Sequence, residues 1–282
     1  MDIRAIEKSG KSGFMFYIKY DGTKFQAFDE INGKTTVKGR FKEIMNALGF
    51  TWAKGIQQAG RTDAKVSANE NILYVSSSFN GNMDKIIEKF NGKAENMQIT
   101  SVRKTFPNLS FPEMIAKREY IYRYPKKKIV KSEEEILALC SELSGKHDVG
   151  RFTDRKGQEL KNHIREVEIS YLNGKLFFLG DSFMPKQVRT MAGYILTGRC
   201  EPLEGKYLTL NRIDLSPELK GHIFENVEDI TVENVEKIEK TLDGTLYIFY
   251  VTKSKKGEVI GKNGKNIKAL KKQYGNIIVR EI

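Results

Sequence analysis

Residues 57–70 read QQAGRTDAKVSANE, and they set Gly60, Arg61, Thr62 and Asp63 in consecutive positions. A carboxylate beside a cation is material for nucleophilic or acid–base work. A lone aspartate in a turn, by contrast, ordinarily only satisfies nearby backbone N–H groups. The other candidates are weaker. His147-Asp148 has acid–base character, but it follows a helical stretch, where such a pair is common turn chemistry and structural in role. His147, His163, His222, Cys140 and Cys200 show no CxxC and no metal-ligand spacing. The sequence therefore predicts neither a structural metal nor a disulfide framework, and it fits a reducing compartment. Near the end, VIGKNGKNIKAL places Gly261 and Gly264 among lysines.

The bulk properties frame these candidates. A chain of 282 residues holds about two ordinary domains, and 39% hydrophobic content suffices for a packed core. Forty-eight basic residues against 36 acidic ones give a net charge of +12, which points to a polyanionic partner, nucleic acid first. The start, MDIRAIEKSG, is too polar for a secretory signal. No apolar run approaches the roughly 20 residues that span a bilayer. A soluble cytoplasmic protein with no membrane partner is expected.

The elements around the candidates follow from periodicity. FMFYIKYDG (14–22) reads as a strand into a turn, and TTVKGRFKEIMNALGF (35–50) as a helix capped by Thr35 or Thr36. NILYVSSSF reads as a strand, NMDKIIEKFNGK as a helix and MQITSVRKTF as a strand. The pattern then recurs. KREYIYRYPKK (117–127) reads as a strand, SEEEILALCSELSGK as a helix with Ser132 and Glu135 at its start, and REVEISYLNGKLFFLGDSF as a hairpin turned at Asn173-Gly174. PKQVRTMAGYILTGR (185–199) reads as a helix started by Pro185. These patterns predict an α+β fold of two related antiparallel-sheet halves, residues 1–110 and 111–225, with helices on one side and a cleft between them. The acidic approach ENVEDITVENVEKIEKTLDG reads as a polar strand and helix. Residues 226–282 then form a small basic α/β domain, with eight lysines and one acid between Lys253 and Lys272.

GRTDAKVSA resembles the active-site motif GRTDAGVHA of the TruA-type tRNA pseudouridine synthases. Five further segments resemble that family in its own order across residues 14–215: YIKYDGTKFQAF, KREYIYRYP, LSGKHDVGRFT, FMPKQVRTMAGYIL and CEPLEGKYLTLNRIDL. The resemblance implies isomerisation of uridine in structured RNA, tRNA first, with no cofactor. It implies Asp63 as the nucleophile and Tyr120 as a residue that stacks on uracil and accepts its C5 proton. Arg189 is then the electrostatic partner of Asp63, and Arg61 fills the space left by a flipped base. Thr62 would set the turn, and homodimers are implied by the relatives. Four departures stand out. Lys65 and Ser67 replace Gly and His, and Lys65 would either reach a phosphate or signal altered substrate geometry. Ala27 and Phe28 replace Gly and Trp. The connection after YILTGR lacks a usual helix. The basic tail is an addition.

That tail resembles a KH-type core, I-G-x-x-G-x-x-I-x-x-L. Gly261 and Gly264 would let phosphates approach, with Lys262, Asn263 and Lys265 completing the RNA contact and the following helix N-terminus adding its dipole. Ile260, Ile267 and Leu270 would be its core. Two alternatives stay open: an RNA-binding chaperone on the same fold, or a synthase for ribosomal or other RNA.

Overall fold

The computed structural model describes residues 3–52, 54–154 and 162–282. In the first half, α1 (Ile3–Ser9) leads into β1 (Ser12–Tyr20), α2 (Val37–Ala47), β2 (Gln57–Gln58), β3 (Ser67–Ser77), α3 (Met83–Lys93) and β4 (Met97–Thr105). The second half runs β5 (Ile115–Tyr122), α4 (Glu133–Leu143), β6 (Gly145–Asp148), β7 (Ile164–Leu172), β8 (Lys175–Gly180), α5 (Gln187–Thr197) and β9 (Leu208–Leu215). The tail follows as α6 (Pro217–Gly221), β10 (Phe224–Val227), β11 (Lys237–Thr241), β12 (Leu246–Val251), α7 (Lys256–Ile260), α8 (Lys265–Tyr274) and β13 (Asn276–Glu281).

The α+β architecture is as expected, but the two halves share one sheet. Its strand order is β4-β1-β3-β9-β5-β8-β7-β6, with β2 added on β3. Each half is antiparallel. The seam is the short parallel pairing of β3 with β9, Ser67 to Thr209 and Ala68 to Leu210. It lies four residues past Asp63. The loop that carries the candidate carboxylate is therefore anchored where the halves meet.

Local chemistry explains most boundaries. Thr36 caps α2 by accepting from Gly39 N at 3.1 Å. Ser132 and Glu135 form a reciprocal capping box on α4. Asn173 and Gly174, both at positive φ, turn the β7–β8 hairpin. Helix α5 begins at Gln187, two residues later than the proline suggests. The carbonyl of Pro185 is taken by the Thr153 hydroxyl, Gln187 Oε1 accepts from Met184 N, and Lys186 turns through a left-handed conformation. Strand β5 stops at Tyr122, shortly before Pro125, which has no N–H to pair.

A second sheet, β10-β11-β12-β13, forms the tail. The helix expected in the acidic approach is absent among the described residues; β10 and β11 pair there instead. KIEKT is a strand because it is paired on both sides, by β10 and β12, with Ile238 packed against Phe249 of β12. Strand β12 pairs antiparallel with β11 and parallel with β13, and the α7–loop–α8 unit connects β12 to β13.

Candidate active site and RNA loop

Residues 59–66 link β2 to β3, and each polar contact in the link fixes Asp63. The fully buried Asn71 on β3 clips Gly60: its Oδ1 accepts from Gly60 N at 3.1 Å and its Nδ2 donates to Gly60 O at 2.8 Å. Thr62 is buried, and its hydroxyl meets the Tyr20 hydroxyl at 2.8 Å. Burial pushes the Tyr20 phenol up to about 12, against the hydrogen bonds from Thr62 and Asn71, so it stays a neutral hydroxyl. The turn closes where Val66 N donates to Asp63 O at 3.1 Å.

Lys65 sits in this turn at φ 65°. A type II turn asks for that conformation at its third residue, and glycine meets it without strain. The glycine of the family motif is thus explained, and Lys65 keeps the turn at the expense of backbone strain, with its side chain in solvent. Ser67, the other departure, accepts from Gly22 N at 3.0 Å. Gly22 itself is irreplaceable on steric grounds: a Cβ there would lie 2.0 Å from Val66 O. The Tyr20-Asp21-Gly22 turn is therefore a buttress of the Asp63 loop. From the second half, Gly205 supports the same loop; a Cβ on it would lie 2.5 Å from Ala64 O.

Arg189 reaches Asp63 from α5, its Nη1 donating to Oδ2 at 3.2 Å. The guanidinium is aimed by a second bond, Nε to Leu203 O at 2.6 Å. The side chains are 16% and 31% exposed, so the pair is partly desolvated and open on one side. Tyr120 lies beneath the loop, 6% exposed, with its hydroxyl 3.7 Å from where a Gly60 Cβ would be. Its ring meets Phe183 edge-on at 5.3 Å. Burial first, then Tyr20 and Asp63, push its phenol far above the ordinary range, and Arg118 offsets this only in part. Burial thus keeps the phenol in its neutral form.

These groups line a cleft of about 570 Å³ between the halves, walled also by Phe28, Asp29, Pro112, Arg118, Phe183, Met184 and Leu208. Arg61 stands at its mouth, 67% exposed, paired with Asp29 at 2.5 Å. Asp29 also takes Lys38 at 2.9 Å. Two site residues escaped the sequence reading. Arg118 staples both halves by donating to Ala59 O at 2.7 Å, to Pro112 O at 3.3 Å and to Asp181 O. Its signal was the arginine two positions before Tyr120. Asn71 showed only as a polar residue heading the apolar run ILYV. His147 and Asp148 are spent locally on Ser144 O and Gly150 N.

In the tail, Gly261, Asn263 and Gly264 all take positive φ, of 75°, 55° and 71°. Lys262, Asn263 and Lys265 project into solvent around them. A Cβ on Gly261 would come 2.7 Å from Asn266 Cγ, whose amide caps α7 through Glu258 O at 2.8 Å. Ile267 and Leu270 pack on the buried Ile238, Phe249 and Ile277, as expected. The buried residue of α7 is Val259, and Ile260, expected in the core, is only half-buried.

The fold is an α+β core with a small α/β domain appended, and both parts have counterparts among known proteins. Residues 218–281 match the KH domain family. Over 216 residues the chain is 27% identical to the tRNA pseudouridine synthase A of Picrophilus torridus, covering 75% of this chain and 82% of that protein. The enzyme of the same name from Pyrococcus abyssi is 28% identical over 213 residues, 72% of this chain and 79% of the other. That from Streptococcus mutans is 28% identical over 204 residues, 64% and 80% respectively. A solved Cbf5-Nop10-Gar1 complex overlaps 76% of this chain and 51% of the solved one at 13% identity and a TM-score of 0.34, too distant to place any residue. Over 64–75% of its length the chain is thus similar to enzymes named tRNA pseudouridine synthase A, which are isomerases, and its C-terminal residues match the KH domain family. No helix among the described residues is long and apolar enough to cross a membrane.

Proposed function

We propose that the protein isomerises uridine to pseudouridine in tRNA, in the cytoplasm and as a homodimer by resemblance to its relatives. Residues 1–110 and 111–217 form the catalytic core, and 218–282 grip RNA, the expected boundary after residue 225 moving back because β10 (Phe224–Val227) belongs to the tail sheet. The observation that carries this reading is the contact of Asp63 with Arg189 at 3.2 Å across the seam, above the buried Tyr120. The reaction breaks the C1′–N1 bond, turns the base, joins C5 to C1′, and moves a proton from C5 while N1 gains one. Nothing is lost overall. Asp63 attacks the sugar or the base as a carboxylate nucleophile. Arg189 aims it, since one of its N–H groups is already committed to Leu203 O. Tyr120 stacks on the uracil. Extruding the uridine costs a few kcal/mol. Arg61 offsets this by leaving Asp29 for the vacated space in the helix, where its guanidinium stacks on the neighbouring bases. Lys65, at the rim, meets a phosphate.

Lys262, Asn263 and Lys265, with the backbone at Gly261 and Gly264, hold four or so nucleotides elsewhere on the RNA. The test is to incubate the protein with unmodified tRNA transcripts and with ribosomal RNA fragments, and to map pseudouridines. Modified tRNA supports the reading. Modification of ribosomal fragments alone moves the substrate, and unmodified RNA of both kinds contradicts it.

A further inference from the structure

The KH domain is not tethered loosely to the core. Phe224, Leu246, Ile248, Tyr250 and Ile278 share one buried cluster with Ile6 and Phe106 of the core. Lys104 on β4 donates to Glu239 at 2.7 Å and to Tyr250 at 2.5 Å, and the Tyr250 hydroxyl donates to the same carboxylate at 2.7 Å. Glu239 is 5% exposed. Arg280 donates to Ser12 Oγ and Lys11 O, each at 2.7 Å.

These anchors have a definite place. Arg280 grips Ser12, the first residue of β1, whereas Tyr20, the last, holds Thr62 beside Asp63. At about 3.3 Å per residue the two points lie about 26 Å apart along one strand. They also share a face. Lys104 pairs with Phe14, which alternation sets on one face with Phe16, Ile18 and Tyr20, where Phe16 meets Phe41 of α2. Helix α3, about 16 Å long at 1.5 Å per residue, lies within the interval. It starts beyond Ser77, the partner of Ser12, and ends before Met97, the partner of Tyr20. Lys85, Lys89 and Lys93 are exposed one turn apart along it, and no carboxylate pairs with them among the described residues.

We infer that one RNA is held at two points fixed relative to each other, its target uridine in the cleft and a single-stranded segment on the loop that α7 and α8 carry on the outer side of the docked KH sheet, with Lys85, Lys89 and Lys93 as a phosphate track along the core between the KH anchors and the cleft. This rests on the isomerase reading and adds the geometry of the substrate: a flippable uridine and an unpaired segment at a set separation. Fixed docking keeps the second contact at high effective concentration once the first has formed.

The test uses the full chain and an unmodified tRNA transcript. In Lys85→Gln/Lys89→Gln/Lys93→Gln, the slope of log affinity against log salt should flatten by about 2–3, at a wild-type melting temperature. An unchanged slope overturns the track. Hydroxyl-radical footprinting of the wild type should show two separated protected segments. A single patch at the target overturns the two-point hold. Lys104→Met/Arg280→Ser should blur the second segment and spare the first; an unaltered second segment overturns fixed docking. Flattened slope without any pseudouridine would sustain the track and refute the isomerase reading. Pseudouridine with an unchanged slope would do the reverse.

Discussion

Replacing Arg189 by methionine removes two hydrogen bonds at once, 3.2 Å to Asp63 and 2.6 Å to Leu203 O. A hydrogen bond to a charged group contributes about 1.5–3 kcal/mol, and an exposed ion pair about 0–1. With 31% of the Asp63 side chain in solvent, the contact belongs near the lower end of the first range, about 1.5–2 kcal/mol. If that interaction aims the nucleophile, each 1.4 kcal/mol is tenfold in rate, so kcat/KM should fall roughly 10- to 30-fold. The lost bond to Leu203 O should cost about 1 kcal/mol of stability and lower Tm by roughly 2–4 °C. Arg189→Lys keeps the charge but cannot serve both acceptors, and should fall between. The assay is release of tritium from C5 of labelled uridine in a tRNA transcript under single-turnover conditions. A kcat/KM within twofold of wild type, in a folded Arg189→Met protein, would refute the assignment.

Three further perturbations probe the supports. Gly22→Ala should push the Val66 carbonyl aside from a 2.0 Å overlap, lose about 2–3 kcal/mol of stability by thermal melting, and lower the isomerisation rate with it. Lys65→Gly should relieve a positive φ and raise stability by up to about 1 kcal/mol, while RNA affinity falls if the ammonium meets a phosphate. Burial alone would raise the Glu239 carboxyl, but Lys104, Lys237 and Tyr250 outweigh it and hold the group below its ordinary value. The unfolded state then binds more protons across that window, so KH docking is full above the ordinary carboxylate range and lost as pH falls through the depressed value. Melting of the docked domain should therefore drop in acid, and Glu239→Gln should flatten that dependence.

Much of the candidate site was legible because its parts are local in sequence. The Asp63 turn, the β5 tyrosine and the α5 arginine each sit in a motif of a few residues, and the Asn-Gly hairpin and the Ser132 capping box state their own geometry. What stayed hidden is long-range. Nothing in β3 or β9 says that they pair in parallel for two residues and fuse the halves. Arg118 acts on carbonyls from three separate segments, and no spacing in the chain encodes that. Lys65 looked like an obstacle until its backbone angle showed that the turn survives it. The strand in KIEKT was masked by its charges, because three of its five residues are charged and its buried positions do not alternate.

The most direct measurement compares Asp63→Ala with wild type for two quantities on the same unmodified tRNA transcript, pseudouridine formed and dissociation constant. The account predicts that product disappears while affinity stays within about twofold, because the change removes a nucleophile and adds no charge that repels phosphate. Continued product formation, or affinity that collapses together with activity in a folded protein, would contradict it.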